Sequence, residues 1–301
     1  MARPAVVPER NVRHGPRPEL TVLGAALLFG TTGTAQALGP DLASPTTVGA
    51  ARLVVGGAAL ALIAVASGGF SAGSGRLGTR PTVLAAAGVA LYQLTFFAAV
   101  ARTGVVLGTV VALGSAPAAT GALAFLLRRE RPGPRWGLAT VLAVAGCALI
   151  VLPGEDAGAD GLGVALALAA GTSYALYTVA GKELLDAGAA PTSVMGAAFG
   201  LAAVPAALLL ALGDSAWLGS AGGLALAAYL GLVPTALAYV LFARGLRHLA
   251  SARVATLTLA EPLTAALLGV LVLSERPTLL AVVGALAVLS GLVLAATAGR
   301  R

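Results

Sequence analysis

The chain has 301 residues, is 58% hydrophobic and only 10% charged, and its mean hydropathy is +0.93. Soluble domains carry about 25% charged residues, so this composition excludes a water-soluble enzyme or binding module and makes lipid the main solvent. The net charge of +7 is no nucleic-acid signature, because the basic residues sit in short loops between apolar runs, where they set orientation in a membrane.

A spanning helix needs about 20 apolar residues to cross about 30 Å of hydrocarbon. After an amino-terminal tail, 1–19, five such runs occupy 20–39, 46–67, 82–101, 104–127 and 135–152, and form a first unit, 20–152. A linker, 153–160, leads to a second unit, 161–298, with runs at 161–181, 191–212, 221–243, 252–273 and 278–298, and three residues, 299–301, close the chain. Breakers mark the joins: Gly39-Pro40 with Pro45, Gly68 to Pro81, Pro132-Gly133-Pro134, Pro153-Gly154, Pro191, Gly213-Asp214 and Pro277. The basic tail, the apolar run from Leu20 and Ala35-Gln36-Ala37 mimic a cleaved secretory leader, but removing that run leaves nine helices and breaks the repeat described below. The single cysteine, Cys147, excludes an internal disulfide.

The positive-inside rule tests the count. With the amino terminus cytoplasmic, sixteen Lys and Arg residues fall inside, only Arg102 and Arg276 fall outside, and Arg52 lies within the second helix. Both termini are then cytoplasmic.

Glu130-Arg131-Pro132 recurs 145 residues later as Glu275-Arg276-Pro277, and at the same offset Pro117 matches Pro262 and Gly146 matches Gly291. Five helices separate the two copies, so the two loops face opposite sides. The predicted fold is an all-α integral membrane protein of ten transmembrane helices in two inverted five-helix repeats, a design common among secondary transporters.

Several stretches resemble the drug/metabolite transporter superfamily, specifically its EamA-like ten-helix members. They are Leu27-Leu28-Phe29-Gly30, Arg52, Phe97-Ala98-Ala99-Val100, Leu237-Ala238-Tyr239, Ala243-Arg244-Gly245-Leu246-Arg247, Leu259-Ala260-Glu261-Pro262-Leu263 and Leu273-Ser274-Glu275-Arg276-Pro277. Together they span nearly the whole chain beyond the tail. The resemblance implies a small-molecule carrier, in a family with many exporters of amino acids, metabolites or drugs; the single lysine among nineteen basic residues and the abundance of Ala and Gly point to a GC-rich bacterial genome, so the expected location is a bacterial inner membrane. One departure stands out: Glu261-Pro262 has Ala116-Pro117 as its counterpart, so any role of the carboxylate belongs to the second half alone.

Glu261 is the only acidic residue well inside a predicted helix, about 13 Å deep at 1.5 Å per residue, and such residues usually face a cavity or partner and carry protons or substrate. A hydrogen bond that steadies the helix around Pro262 is the structural alternative. Arg52 is a candidate for an anionic substrate group or for pairing with Glu261, against simple snorkelling to the surface. Polar and aromatic residues inside helices supply cavity candidates: Gln36, Tyr92, Gln93, Tyr174, Tyr177 and Tyr239 for binding or coupling, and Thr31, Thr32, Thr34, Ser173, Tyr229 and Thr235 beside them. Pro117 and Pro262 are matched hinge candidates. Gly196 and Gly200 form a small-xxx-small pair suited to close helix packing.

No Gly-rich Lys-Ser or Lys-Thr phosphate loop occurs, and the two histidines, His14 and His248, fall outside the predicted helices, so neither ATP-driven transport nor a metal or cofactor is expected, and no catalytic set emerges. The expected partners are a small-molecule substrate and the bilayer, with no nucleic acid; a homodimer stays open. A passive channel or scramblase-type pore, and an intramembrane enzyme on a lipid-linked substrate, are the competing classes.

Overall fold

The computed structural model describes residues 17–40, 44–70, 77–151, 160–274 and 276–297. Most of the amino-terminal tail, most of the linker 153–160, Glu275 and the last residues lie outside this set. Among the described residues, ten apolar helices carry the chain back and forth: α1 Pro18–Ala37, α2 Pro45–Ala66, α3 Thr79–Gly104, α4 Leu107–Arg128, α5 Pro134–Val151, α6 Gly161–Asp186, α7 Pro191–Leu212, α8 Ala221–His248, α9 Ser251–Val272 and α10 Leu279–Thr297. Nine are long and apolar enough to span a bilayer by the usual criteria; α5, at 18 residues, is the short one.

Local chemistry sets the helix starts. Pro18, Pro45, Pro134 and Pro191 open α1, α2, α5 and α7, where a missing N–H has no intrahelical partner to lose, so Pro45, Pro134 and Pro191, which read as breakers, are helix starts. Ser44, Asp160 and Ser220 cap α2, α6 and α8 by accepting bonds from the amides of Thr47, Leu162 and Gly223. Between α3 and α4 the chain reverses at Gly104, whose φ of 80° suits glycine. Two helices outrun their predicted ends: α6 continues through Lys182 to Asp186 and α8 runs to His248, so these residues are helical and not in loops.

The halves interlock. Helix α1 packs on α8 and α9 of the second half, and its counterpart α6 packs on α3 and α4 of the first, while α2 lies against α7 and α5 against α10. This pattern maps onto itself when the halves are exchanged, as an inverted repeat requires. The α5–α10 contact is reciprocal: a Cβ on Gly146 would stand 2.6 Å from the Gly284 carbonyl oxygen, and one on Gly284 would stand 2.6 Å from that of Gly146. Gly196 in α7 meets the Leu60 carbonyl of α2 in the same manner, so the small-residue pair serves packing.

The repeat is also written in the backbone. Among the described residues, only two that are not glycine have positive φ: Arg129 at 57° and Ser274 at 59°. They are 145 positions apart, and each ends its helix just before the repeated Glu-Arg-Pro loop.

The exterior carries large apolar side chains such as Val204, Leu208 and Leu212, which suit lipid contact. Fully buried large side chains crowd the end of the bundle where α1 begins: Val22, Leu184, Met195, Leu246 and Val254 are each at most 1% exposed. Ion pairs line the same end. Arg253 bonds Glu19 of α1 and the Ala295 and Ala296 carbonyls that close α10, while Arg128 reaches Glu130 and Asp186, and Asp186 also meets Lys182. A basic side chain on the last carbonyls of a helix complements its dipole.

Candidate substrate cavity

The packing loosens at mid-height. A cavity of about 340 Å³ runs from Phe29, Tyr174, Tyr239 and Glu261 toward the opposite end, where Gln36, Pro45 and Val100 line it. Helices of both halves contribute: α1 to α4 from the first, α6, α8 and α9 from the second.

Helix α9 places Glu261 here by breaking. Pro262 offers no amide to the Thr258 carbonyl and its ring crowds that oxygen, so the helix interrupts at Thr258 and Leu259 and resumes at Ala260. The Thr258 carbonyl takes the Glu261 amide, at 3.0 Å, in place of the missing bond. Two neighbours hold the break: the Tyr174 hydroxyl pairs with Thr258 Oγ1 at 3.0 Å, and Cys147 Sγ approaches the Leu259 carbonyl at 3.8 Å. Opposite it, Gly30 of α1 lets α9 come close, since a Cβ there would stand 2.7 Å from the Glu261 carbonyl oxygen. Pro117 behaves differently, for α4 continues through it without interruption. The two prolines match in sequence but not in shape.

All eight predicted binding or coupling residues line this cavity or a small pocket continuous with it through shared residues: Arg52, Tyr92, Gln93 and Tyr239 face both, Gln36, Tyr174 and Glu261 face the cavity, and Tyr177 faces the small pocket. Arg52 and Glu261 share the cavity without a direct ion pair, and neither side chain bonds another described residue. Gln93 is 6% exposed and its Nε2 has no partner. Gln36 makes only a long bond, 3.5 Å, to the Thr32 carbonyl of its own helix.

An aromatic cluster floors the cavity. Tyr239 lies 5.0 Å from Phe29, 4.1 Å from Phe199 and 6.1 Å from Tyr177 between ring centres, and the Tyr177 and Tyr239 hydroxyls meet at 3.3 Å. Tyr174, Tyr177 and Tyr239 all contact Phe242 beneath.

The accessory candidates divide. Thr32 lines the cavity and Thr235 the small pocket, the latter bonding back to the Leu230 carbonyl across a widened π-turn. Tyr229 and Thr31 instead bond each other at the bundle surface, and Ser173 bonds the Ala169 carbonyl of its own helix. Sequence reasoning passed over Phe29, Phe96 and Phe97 as cavity residues. The signal was there, since Phe96 lies one turn beyond Tyr92 and their rings stack at 5.5 Å.

An apolar bundle with a lipid-facing exterior, built from interlocked inverted halves around a cavity lined by ionisable side chains from both, has the make-up of a membrane transporter. The chain belongs to the EamA-like transporter family, whose model matches residues 17–152 and 161–297, once for each half. It is 40% identical over 283 residues, 94% of each chain, to the uncharacterized transporter YwfM of Bacillus subtilis. A shorter match, 29% identical over 171 residues, joins it to an uncharacterized transporter of Archaeoglobus fulgidus, covering 56% of this chain and 60% of that one. A solved crystal structure superposes with a TM-score of 0.81 over 94% of this chain and 98% of its own, at 19% identity, and shares the fold. The protein is thus a multi-pass transporter of the cell membrane.

Proposed function

We propose that the protein exports a small metabolite, amino acid or drug from a bacterial cell by alternating access, with Glu261 carrying the coupled proton and Arg52 engaging an anionic group of the solute. The observation that supports this most is that one mid-height cavity holds two ionisable side chains with no bond to another described residue, Arg52 from the first half and Glu261 from the second. A charge left without a protein partner at membrane depth is costly and is retained where it meets an ion or a substrate. With the charge-rich end cytoplasmic, as the basic residues favour, the cavity leads outward and the packed end closes the inner side. The halves would rock about the α2–α7 and α5–α10 contacts to reverse this.

The test begins with solutes excreted by cells overproducing the protein and retained by cells lacking it. The solute found is loaded into proteoliposomes. Efflux should saturate and should accelerate with an opposing proton gradient, and Glu261→Gln should remove the acceleration. Linear flux indifferent to the gradient would overturn the carrier in favour of a passive pore.

A further inference from the structure

The mid-height cavity is not sealed from the lipid by a thick wall. On the far side of Leu53 and Gln93 lies a second space of about 190 Å³, an apolar groove formed by α2, α3 and α7 around Ala90 and Pro205. Its rim is Leu208, which is 60% exposed on the lipid-facing surface. Leu53 lines both the groove and the small pocket, and Gln93 lines the groove, the small pocket and the main cavity. Those two side chains are the partition.

Gln93 is an unusual choice for that place. The residue is buried, and its Nε2 has no partner among the described residues, which is unfavourable in a hydrocarbon setting unless a visiting acceptor completes it. Arg52 stands beside it in both the cavity and the small pocket, likewise without a bond to any described residue. Gln93 thus sits at the inner end of the apolar groove, and Arg52 lies beyond it in the cavity and small pocket that Gln93 also lines. At the roughly 30 Å³ that a water-sized group occupies, the groove holds about six methylenes.

We propose that the substrate is an amphiphile with an oxyanion head, taken laterally from the bilayer: the head is held by Arg52 and Gln93 in the cavity and the hydrocarbon chain lies in the α2–α3–α7 groove. This names the substrate class of the cavity and rests on the carrier reading. Chain length alone does not establish it, because a chain leaving lipid for an apolar groove gains little and mere partitioning also grows with length. The decisive features are saturation and dependence on the head.

The experiment places a single labelling site on the groove rim, Leu208→Cys in a Cys147→Ala background, with an environment-sensitive fluorophore and the full chain in nanodiscs. Decanesulfonate should change the emission saturably. Propanesulfonate, with the head but no chain, should compete with it while leaving the label silent by itself. Gln93→Leu and Arg52→Gln should each raise the half-saturating concentration about tenfold or more, and Ala90→Phe, which fills the groove, should abolish the emission change yet keep propanesulfonate binding, read as a rise in the unfolding midpoint. An equal response to decyltrimethylammonium, or an unchanged response in the Arg52 and Gln93 variants, would mean partitioning into lipid and overturn the proposal. Binding is read at equilibrium without a gradient, so the two readings fail separately. A silent groove in a protein that moves a water-soluble solute sinks only the amphiphile, whereas head-dependent binding without flux sinks only the carrier.

Discussion

Helices α4 and α9 occupy equivalent places in the two halves, yet one is continuous through its proline and the other is broken four residues before it. Position alone therefore does not decide whether an intramembrane proline bends its helix. Around α9, the break is braced from outside, by the Tyr174 hydroxyl on the Thr258 side chain and by Cys147 Sγ near the Leu259 carbonyl. Along α4, the hydroxyls of Ser115 and Thr120 bond only carbonyls of their own helix, at 3.2 and 2.7 Å, and no such outside brace is recorded among the described residues. The acidic residue follows the break: Glu261 precedes the proline of α9, Ala116 that of α4. A broken helix displays a charge to a cavity in a way that an intact one does not, which fits the rule that irregular backbone at membrane depth lines cavities.

The largest effect should come from removing this difference. Pro262→Ala restores the missing amide, lets α9 close its hydrogen bonds and shifts Glu261, so solute flux in proteoliposomes should fall about tenfold or more, while Pro117→Ala should leave it within about twofold. Equal losses would show that the break is incidental. A smaller effect isolates the outside support: Tyr174→Phe removes the bond to Thr258 and should cost about 1 kcal/mol in a denaturant titration, whereas Ser115→Ala, which loses only a bond within its own helix, should cost less than about 0.5 kcal/mol. The smallest effect concerns where the halves agree. Arg129→Gly and Ser274→Gly relieve the same left-handed strain at the price of a freer unfolded chain, and each should stabilise the protein by about 0.5 kcal/mol. Unequal values would mean that the two caps differ despite their matching angles.

Much of this was legible in the sequence because a bilayer allows few solutions. Runs of about 20 apolar residues gave the ten helices, and the recurrence of Glu-Arg-Pro with its odd helix spacing gave the inverted halves. Polar residues in apolar runs pointed to the cavity, since Gln93, Arg52 and Glu261 are too costly at that depth to be scattered at random. Three things were hidden. The reach of α6 and α8 past their charged residues depends on Lys182 bonding the Arg247 carbonyl and Asp186, a contact made only after folding. That Arg52 and Glu261 line one cavity without a direct ion pair depends on how α2 and α9 are rotated, which depth along each helix does not reveal. The aromatic floor used Phe199 and Phe242, residue types that serve equally well against lipid, so nothing in their spacing distinguished them.

The matched left-handed turns at Arg129 and Ser274 bear on how such a molecule came to exist. One is a long cation and the other a small hydroxyl, and neither is the glycine that such a conformation favours, so the two positions share an angle and nothing else. What duplication handed to both halves, and what later divergence left alone, was therefore the direction in which the chain leaves α4 and α9. That direction aims α5 and α10 at each other across the dyad, where Gly146 and Gly284 meet backbone to backbone. Side chains near those corners were free to drift toward different compartments; the exit angle was not, because an error of one helix diameter there would separate the two halves of the gene's own product.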